Sequence, residues 1–306
     1  MTGRRVSPLL LGSSLLLAVV PWQANVVNAQ DVQPQVYTPA PVGVNLLTLG
    51  YAFSTGAVLF DKTIPIENAN ADIHSISAAY SRSIGLFGLA GRADIAVPFV
   101  VGSWEGEVER TEQNTSRTGF ADPTLRFALF IAGAPALTQE EFAGFKPKTI
   151  LGFTLRLRMP LGQYDANRLV NLGTNRWTIS PQLGISHLAG RIGLEAYAGV
   201  WFFTDNDEFL GTQTQSQDPL YTIQVHASYR FRSRLWIAAS SRQSLGGAVS
   251  VDGGDKLEAE TNNRVGLTLA LPLGTRNALK LVATTGLKAT VGNDYSTFAV
   301  VWQTML

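Results

Sequence analysis

The sequence predicts an all-β protein, a transmembrane antiparallel up-and-down β-barrel of about twelve strands. Three observations carry this. Alternation of apolar and polar residues with period 2 recurs from Val44 to the C-terminus, with almost no helical periodicity. The alternating segments run to about 11–16 residues, whereas a soluble strand is about 5–6 and a membrane strand needs about 9–11. Short turns alternate with long polar connections along the chain.

The segments fall near 44–54, 71–83, 86–101, 120–131, 148–160, 175–187, 190–203, 218–231, 233–245, 262–272, 277–289 and 294–305. The stretch GLFGLAGRADIAVPFVVGSW (85–104) shows the logic. One face carries Phe87, Leu89, Ile95, Val97, Phe99 and Val101; the other carries Arg92 and Asp94. Hydrocarbon offers no partner for a backbone N–H, so a membrane sheet closes on itself. The apolar face then meets lipid and the charged face a wet lumen. In the fifth segment Leu151, Phe153, Leu155 and Leu157 oppose Thr154, Arg156 and Arg158. In the eighth, Tyr221, Ile223, Val225 and Ala227 oppose Thr222, Gln224, His226 and Arg230. Aromatics gather at the segment ends, as in interfacial girdles: Phe53, Phe99, Trp177, Phe202 and Tyr221 on one side, Phe87, Tyr229, Phe231 and Trp302 on the other. A soluble β-sandwich would also alternate, but with shorter strands and with exposed Lys in mid-strand.

Connections near 84–85, 188–190, 232–233 and 273–276 are short; those near 55–70, 102–119, 161–174, 204–217 and 246–261 are long and polar. The links at 132–147 and 290–293 break this rule, and TQEEFA (138–143) is the one plausible turn of helix. Residues 1–29 read as a secretory signal peptide. Arg4 and Arg5 precede an apolar run, and Val27-Asn28-Ala29 resembles a cleavage site. Residues 30–43 are expected as an extended periplasmic leader, and 44–306 as the barrel.

Removing residues 1–29 takes Arg4 and Arg5 from the 24 basic residues and leaves 22 against 23 acidic. That balance excludes a strongly basic nucleic-acid binder. With no cysteine, the chain has no thiol nucleophile, thiolate metal site or disulfide. The three histidines, His74, His187 and His226, invite a search for a Ser-His-acid hydrolase, since some twelve-strand barrels are lipases. The nearest same-face serine to His226 is Ser228, about 7 Å along the strand, and no G-x-S-x-G turn appears. The acidic loops 105–112, 204–209 and 252–260 match no calcium-loop spacing and read as solvated surface. No cofactor or metal is expected.

The motifs PVGVNLLTLGYAF (41–53), GFADPTLRFALF (119–130), KTILGFTLRLRMPLGQYD (148–165), LGTNRWTISPQLGISH (172–187) and GRIGLEAYAGVWFFTDN (190–206) resemble the bacterial outer-membrane proteins of the phenol meta-cleavage pathway, or MetA-type, transporter family. The resemblance implies an outer-membrane barrel that passes aromatic or other hydrophobic compounds. Phe298, Val300, Trp302 and Thr304 lead to Leu306 as a C-terminal strand signal, with leucine where an aromatic is commoner.

The residues expected to face the lumen are Arg92, Asp94, Asp122, Arg126, Arg156, Arg158, Arg176, Gln182, Glu195, His226, Arg230, Arg232, Arg242, Arg264, Lys280 and Lys288. Two readings of this basic excess stand open: a positive lumen that attracts anions, or arginine struts paired to Asp94, Asp122 and Glu195. The expected function is an outer-membrane channel or transporter for small solutes, not an enzyme. The alternatives are a structural barrel with an occluded lumen and a membrane hydrolase. The partners implied are outer-membrane lipid and lipopolysaccharide, the barrel-assembly machinery and a small-molecule solute, with no nucleic acid.

Overall fold

The computed structural model describes residues 22–23, 32–59, 66–108, 111–168, 170–232, 235–257, 259–290 and 292–306. The expected signal peptide, apart from Trp22–Gln23, lies outside them.

The strands are β1 (Asn45–Leu59), β2 (Ile66–Leu86), β3 (Leu89–Val108), β4 (Thr111–Phe120), β5 (Thr124–Ala132), β6 (Thr149–Arg158), β7 (Thr178–Ala189), β8 (Ile192–Phe203), β9 (Asn206–Phe209), β10 (Gln213–Gln217), β11 (Leu220–Arg232), β12 (Leu235–Gly246), β13 (Val249–Val251), β14 (Glu260–Leu273), β15 (Asn277–Lys288) and β16 (Gly292–Met305). Each long strand pairs antiparallel with its neighbours in sequence. The last strand returns to the first, from Met305↔Leu46 to Gly292↔Leu59, and closes the ring. The result is a closed twelve-stave antiparallel barrel of the outer-membrane type.

The stave that holds the expected segment 120–131 is built from two strands: β5 covers most of that segment, and all but the last residue of β4 lies in 102–119, which the sequence marks as a long connection. β3 pairs with β4 over Phe99–Val108 and with β5 over Gly91–Ala96. The chain breaks at residues 121–123, where Pro123 has no N–H to give a ladder. Two bonds bridge the gap, Ala121 N to the Pro98 carbonyl and Met159 N to the Pro123 carbonyl. β2 and β3 also run well past the expected ends, β2 from residue 66 and β3 through 102–108, both in stretches that the sequence marks as loop. Beyond the bilayer the outer face is wet, so the backbone stays extended after the apolar alternation has faded. At the same end β9, β10 and β13 form a small separate sheet.

The long link at 132–147 holds a single helical turn, α1 (Gln139–Phe142). Thr138 caps it: its hydroxyl accepts from Glu141 N, and its own N–H gives to the Glu141 carboxylate at 2.8 Å. The Thr138 backbone and then side-chain bonds hold the Glu141 carboxyl below its usual range. The cap is therefore complete above that range and is lost as pH falls through it.

Burial along the strands inverts that of a soluble protein. Leu49, Ile76, Leu155, Leu183, Val225 and Leu267 are exposed, while Ser54, Thr154, Ser180, Gln182, Gln224 and Thr297 are buried. A soluble sandwich would bury the first set. A barrel in lipid turns it outward.

Leu155→Arg places a charge on the lipid face and costs about 2–4 kcal/mol near the midplane. It should reduce the heat-modifiable folded band on a gel. Arg156→Leu, one residue on, should leave that band intact. Equal damage from both would mean that the two faces are reversed.

Candidate functional site

The inward-pointing residues line the barrel interior, and part of it is filled by the segment ahead of β1. The leader expected in the periplasm is, at residues 33–37, inside the barrel. Gln35 N–H gives to the Glu195 carboxylate at 2.6 Å, and Val36 N–H gives to the Tyr197 hydroxyl at 3.3 Å. Arg126 gives to the Gln33 side-chain oxygen at 2.7 Å. Tyr37 is fully enclosed. The segment turns at 34–37, and these bonds meet backbone polar groups that it would otherwise bury unpaired. Val36 and Tyr37 supply the apolar area that draws it in.

Two apolar clusters sit at opposite ends. Near the short turns, Val36 and Tyr37 pack with Ala128, Phe130, Ile150 and Tyr197. Near the long loops, Val170 and Leu172 of the 161–175 loop pack with Trp104, Ile73, Val100 and Tyr295. Smaller apolar clusters lie at Ala52, Val282 and Ala299 and at Trp236, Ala238 and Ala270, and polar side chains such as Ser54, Thr154, Gln182 and Gln224 fill the wall between.

Arg92, Asp94 and Arg126 form one cluster. The Asp94 carboxylate takes Arg126 Nε at 2.7 Å and Arg92 Nε at 3.1 Å. Asp94↔Arg126 is a direct cross-strand pair. The even register that sets Arg92 and Asp94 on one face of β3 brings Arg126 of β5 alongside. Arg156 and Arg158, two apart on β6, flank the Trp201 ring of β8 at 5.9 and 5.7 Å from its centroid. Arg156 also gives to the Gln182 side-chain oxygen at 3.3 Å. Glu195 takes a bond from Ser186 at 3.0 Å in addition to that from Gln35. Arg264 reaches the Tyr295 carbonyl at 2.7 Å. Arg230 pairs across the ladder with Trp236. The side chain of Arg232 lies outside the described residues.

Asp122 and Arg176 are placed differently from that row. Asp122 lies in the break between β4 and β5, and its carboxylate takes Gly162 N, Thr174 N and the Thr174 hydroxyl at 2.6–2.9 Å. It pins the 161–175 loop to the wall. Arg176 lies just before β7, buried, with its guanidinium 4.7 Å from the Phe203 ring centroid and bonded to Gln217.

His226 partners Ser240 of β12 at 2.8 Å, not Ser228. Its other ring nitrogen has no hydrogen-bond partner among the described residues, and Glu195, directly across the ladder, is engaged by Gln35 and Ser186. The acid that would orient the imidazole in a triad is therefore turned elsewhere. His74 and His187 point outward, bonded to Tyr51 and Thr149.

Sequence reasoning missed Tyr37, Gln35, Ser186 and Tyr197. One available signal was glycine in strand interiors: Gly152 and Gly184 fall at inward positions of neighbouring strands, a mark of close approach by another group.

The family model described as "Putative MetA-pathway of phenol degradation" matches residues 67–304. The chain belongs to this family. It is the one that the strand-edge motifs resemble. No curated protein matches the chain by sequence. Among solved structures, an outer membrane channel from Pseudomonas putida F1 is 19% identical, with a TM-score of 0.73 over 90% of this chain and 100% of that one. The transport unit of the autotransporter AIDA-I from Escherichia coli is 7% identical, with a TM-score of 0.51 over 85% of this chain and 90% of that one. Both likenesses concern the fold.

Asp94 compensates two arginines at once. Asp94→Ala should lower stability in detergent by about 3 kcal/mol, because it leaves buried cations uncompensated. The measurement is the urea midpoint. A loss under about 1 kcal/mol would mean that lumen water screens the cluster as it screens a surface pair.

Proposed function

We propose that the protein is an outer-membrane channel for small solutes, with a positively biased lumen. The observation that carries this is the division of the wall: the outward row is apolar along the bilayer, and the inward row is polar and rich in arginine. Arg92, Arg126, Arg156, Arg158, Arg230 and Arg264 outnumber Asp94 and Glu195 among the inward positions. Confined between low-dielectric walls, that excess raises the local anion concentration. Membership of a family tied to phenol degradation, and a fold shared with the P. putida outer membrane channel, support solute passage; the tie to phenol favours aromatic compounds. The chemistry is binding and passage; the His226–Ser240 contact lacks an orienting acid among the described residues.

A second reading, a barrel whose lumen is closed, draws support from the segment at residues 33–37 and from the apolar cluster around Trp104. Conductance in a planar bilayer separates the two. An open pore should give discrete current steps; their absence would favour the closed barrel.

Reversal potentials under a salt gradient should show anions crossing faster than cations of similar size. The preference should weaken in high salt, since the Debye length falls from about 10 Å at 0.1 M to about 3 Å at 1 M. Arg156→Gln with Arg158→Gln should reduce the preference and leave assembly intact. Cation preference in the unmodified protein would overturn the electrostatic reading.

A further inference from the structure

The deepest side chain of the inserted segment sits in a notch cut to its shape. Gly152 of β6 and Gly184 of β7 are direct partners across the ladder, and Gly184 in turn faces Tyr197 of β8. The inner wall is thus missing two adjacent side chains beside an aromatic one. The Tyr37 ring fills that gap. A Cβ at either glycine would overlap it, against Cδ1 and Cε1 from Gly152 and against Cε2 from Gly184. The ring meets Tyr197 and Phe130 edge to face, with centroids 5.2 and 6.0 Å away and planes at 83° and 80°. At the far end the phenolic oxygen accepts from the Thr154 hydroxyl at 3.1 Å and from the Gln182 amide at 3.3 Å.

The two sides of this contact differ in kind. The notch belongs to three strands locked into the closed ring. Tyr37 belongs to a segment that no barrel strand pairs with; its neighbours Gln35 and Val36 are held by bonds to the side chains of Glu195 and Tyr197. The wall therefore keeps its shape whether or not Tyr37 is present. What it offers is a flat slot for one six-membered ring, two aromatic edges, and two neutral donors at the hydroxyl end.

We propose that this notch is a binding site for phenol and small para-alkylphenols, and that Tyr37 occupies it as an internal surrogate. The proposal rests on the channel reading for the solute's route to the site, and it narrows the solute class. The Tyr37 side chain is itself a para-alkylphenol, so 4-methylphenol reproduces it atom for atom. A fused bicyclic ring would meet Phe130 or Tyr197. A ring without the hydroxyl would leave the Thr154 and Gln182 donors facing nothing, which is costly at a buried position. Solute and Tyr37 then exclude each other, and arrival of a phenol releases the inserted segment from its anchor.

The test uses the full-length protein, folded in detergent, and calorimetric titration with 4-methylphenol, toluene and 4-methylcyclohexanol. Tyr37→Ala should bind 4-methylphenol at least about tenfold more tightly than the unmodified protein does, and about tenfold more tightly than it binds toluene. Adding Gly152→Leu to Tyr37→Ala fills the slot and should abolish the binding. Adding Thr154→Val and Gln182→Leu should remove the preference over toluene. Equal binding to Tyr37→Ala and the unmodified protein, or no preference over toluene, would overturn the proposal. If Tyr37→Ala assembles poorly, 4-methylphenol in the refolding mixture should restore its heat-modifiable band while toluene does not; failure to rescue would overturn it too. Bilayer conductance is scored separately. Conductance without phenol binding refutes the site alone, and phenol binding without conductance refutes the channel reading alone.

Discussion

The hydrogen bonds between the first strand and the last hold the rest of the molecule to its form. β1 and β16 run together from Leu46↔Met305 to Leu59↔Gly292, and this seam leaves the ring no open edge. In hydrocarbon an unpaired backbone group costs several kcal/mol, so an open sheet could not stay in the bilayer. Closure also defines an inside and an outside. From that division follows the dyad pattern of every stave, apolar toward lipid and polar toward the lumen.

Closure creates a second problem, since a ring of this size encloses volume. The interior is not left empty. Bulky and charged side chains reach across it, and the segment at 33–37 and the loop at 161–175 fold into it. Arginine suits this setting. Its planar guanidinium can pair with a carboxylate, as Arg92 and Arg126 do with Asp94, or stack on a ring, as Arg156 and Arg158 do at Trp201 and Arg176 at Phe203. Few acids can then organise many bases. Glycine does the opposite work: where Gly152 and Gly184 remove side chains from the wall, another ring can enter.

The same residue types thus serve different purposes by position. Asp94 lies on a stave, and its two arginines come from β3 itself and from β5. Asp122 lies in the break of a stave, and three donors of the long loop take its oxygens. Both are buried acids near a basic interior, but one neutralises the lumen locally while the other fastens a loop. Glu195 does a third thing, joining the wall to the inserted segment through Gln35.

The strand alternation, read by itself, determined the barrel and its lipid face. It could do so because a strand's side-chain period of two is a local property, and a lipid-facing row must be apolar whatever its neighbours are. The one-turn helix at 139–142 was legible for the same reason, since its cap is made within four residues. Tertiary structure alone decided the rest. The strand ends beyond 102 were hidden because the outer face is wet there and no longer needs an apolar row. The split at 121–123 depends on which carbonyls the neighbouring staves present. Partners such as Asp94–Arg126 and His226–Ser240 depend on register between strands, and a shift of one residue would exchange both. By sequence Tyr37 falls in the extended leader, because the Pro- and Gln-rich residues around it carry no strand alternation. Its place was set by two glycines more than a hundred residues away, which leave room on a wall that exists only once the ring has closed.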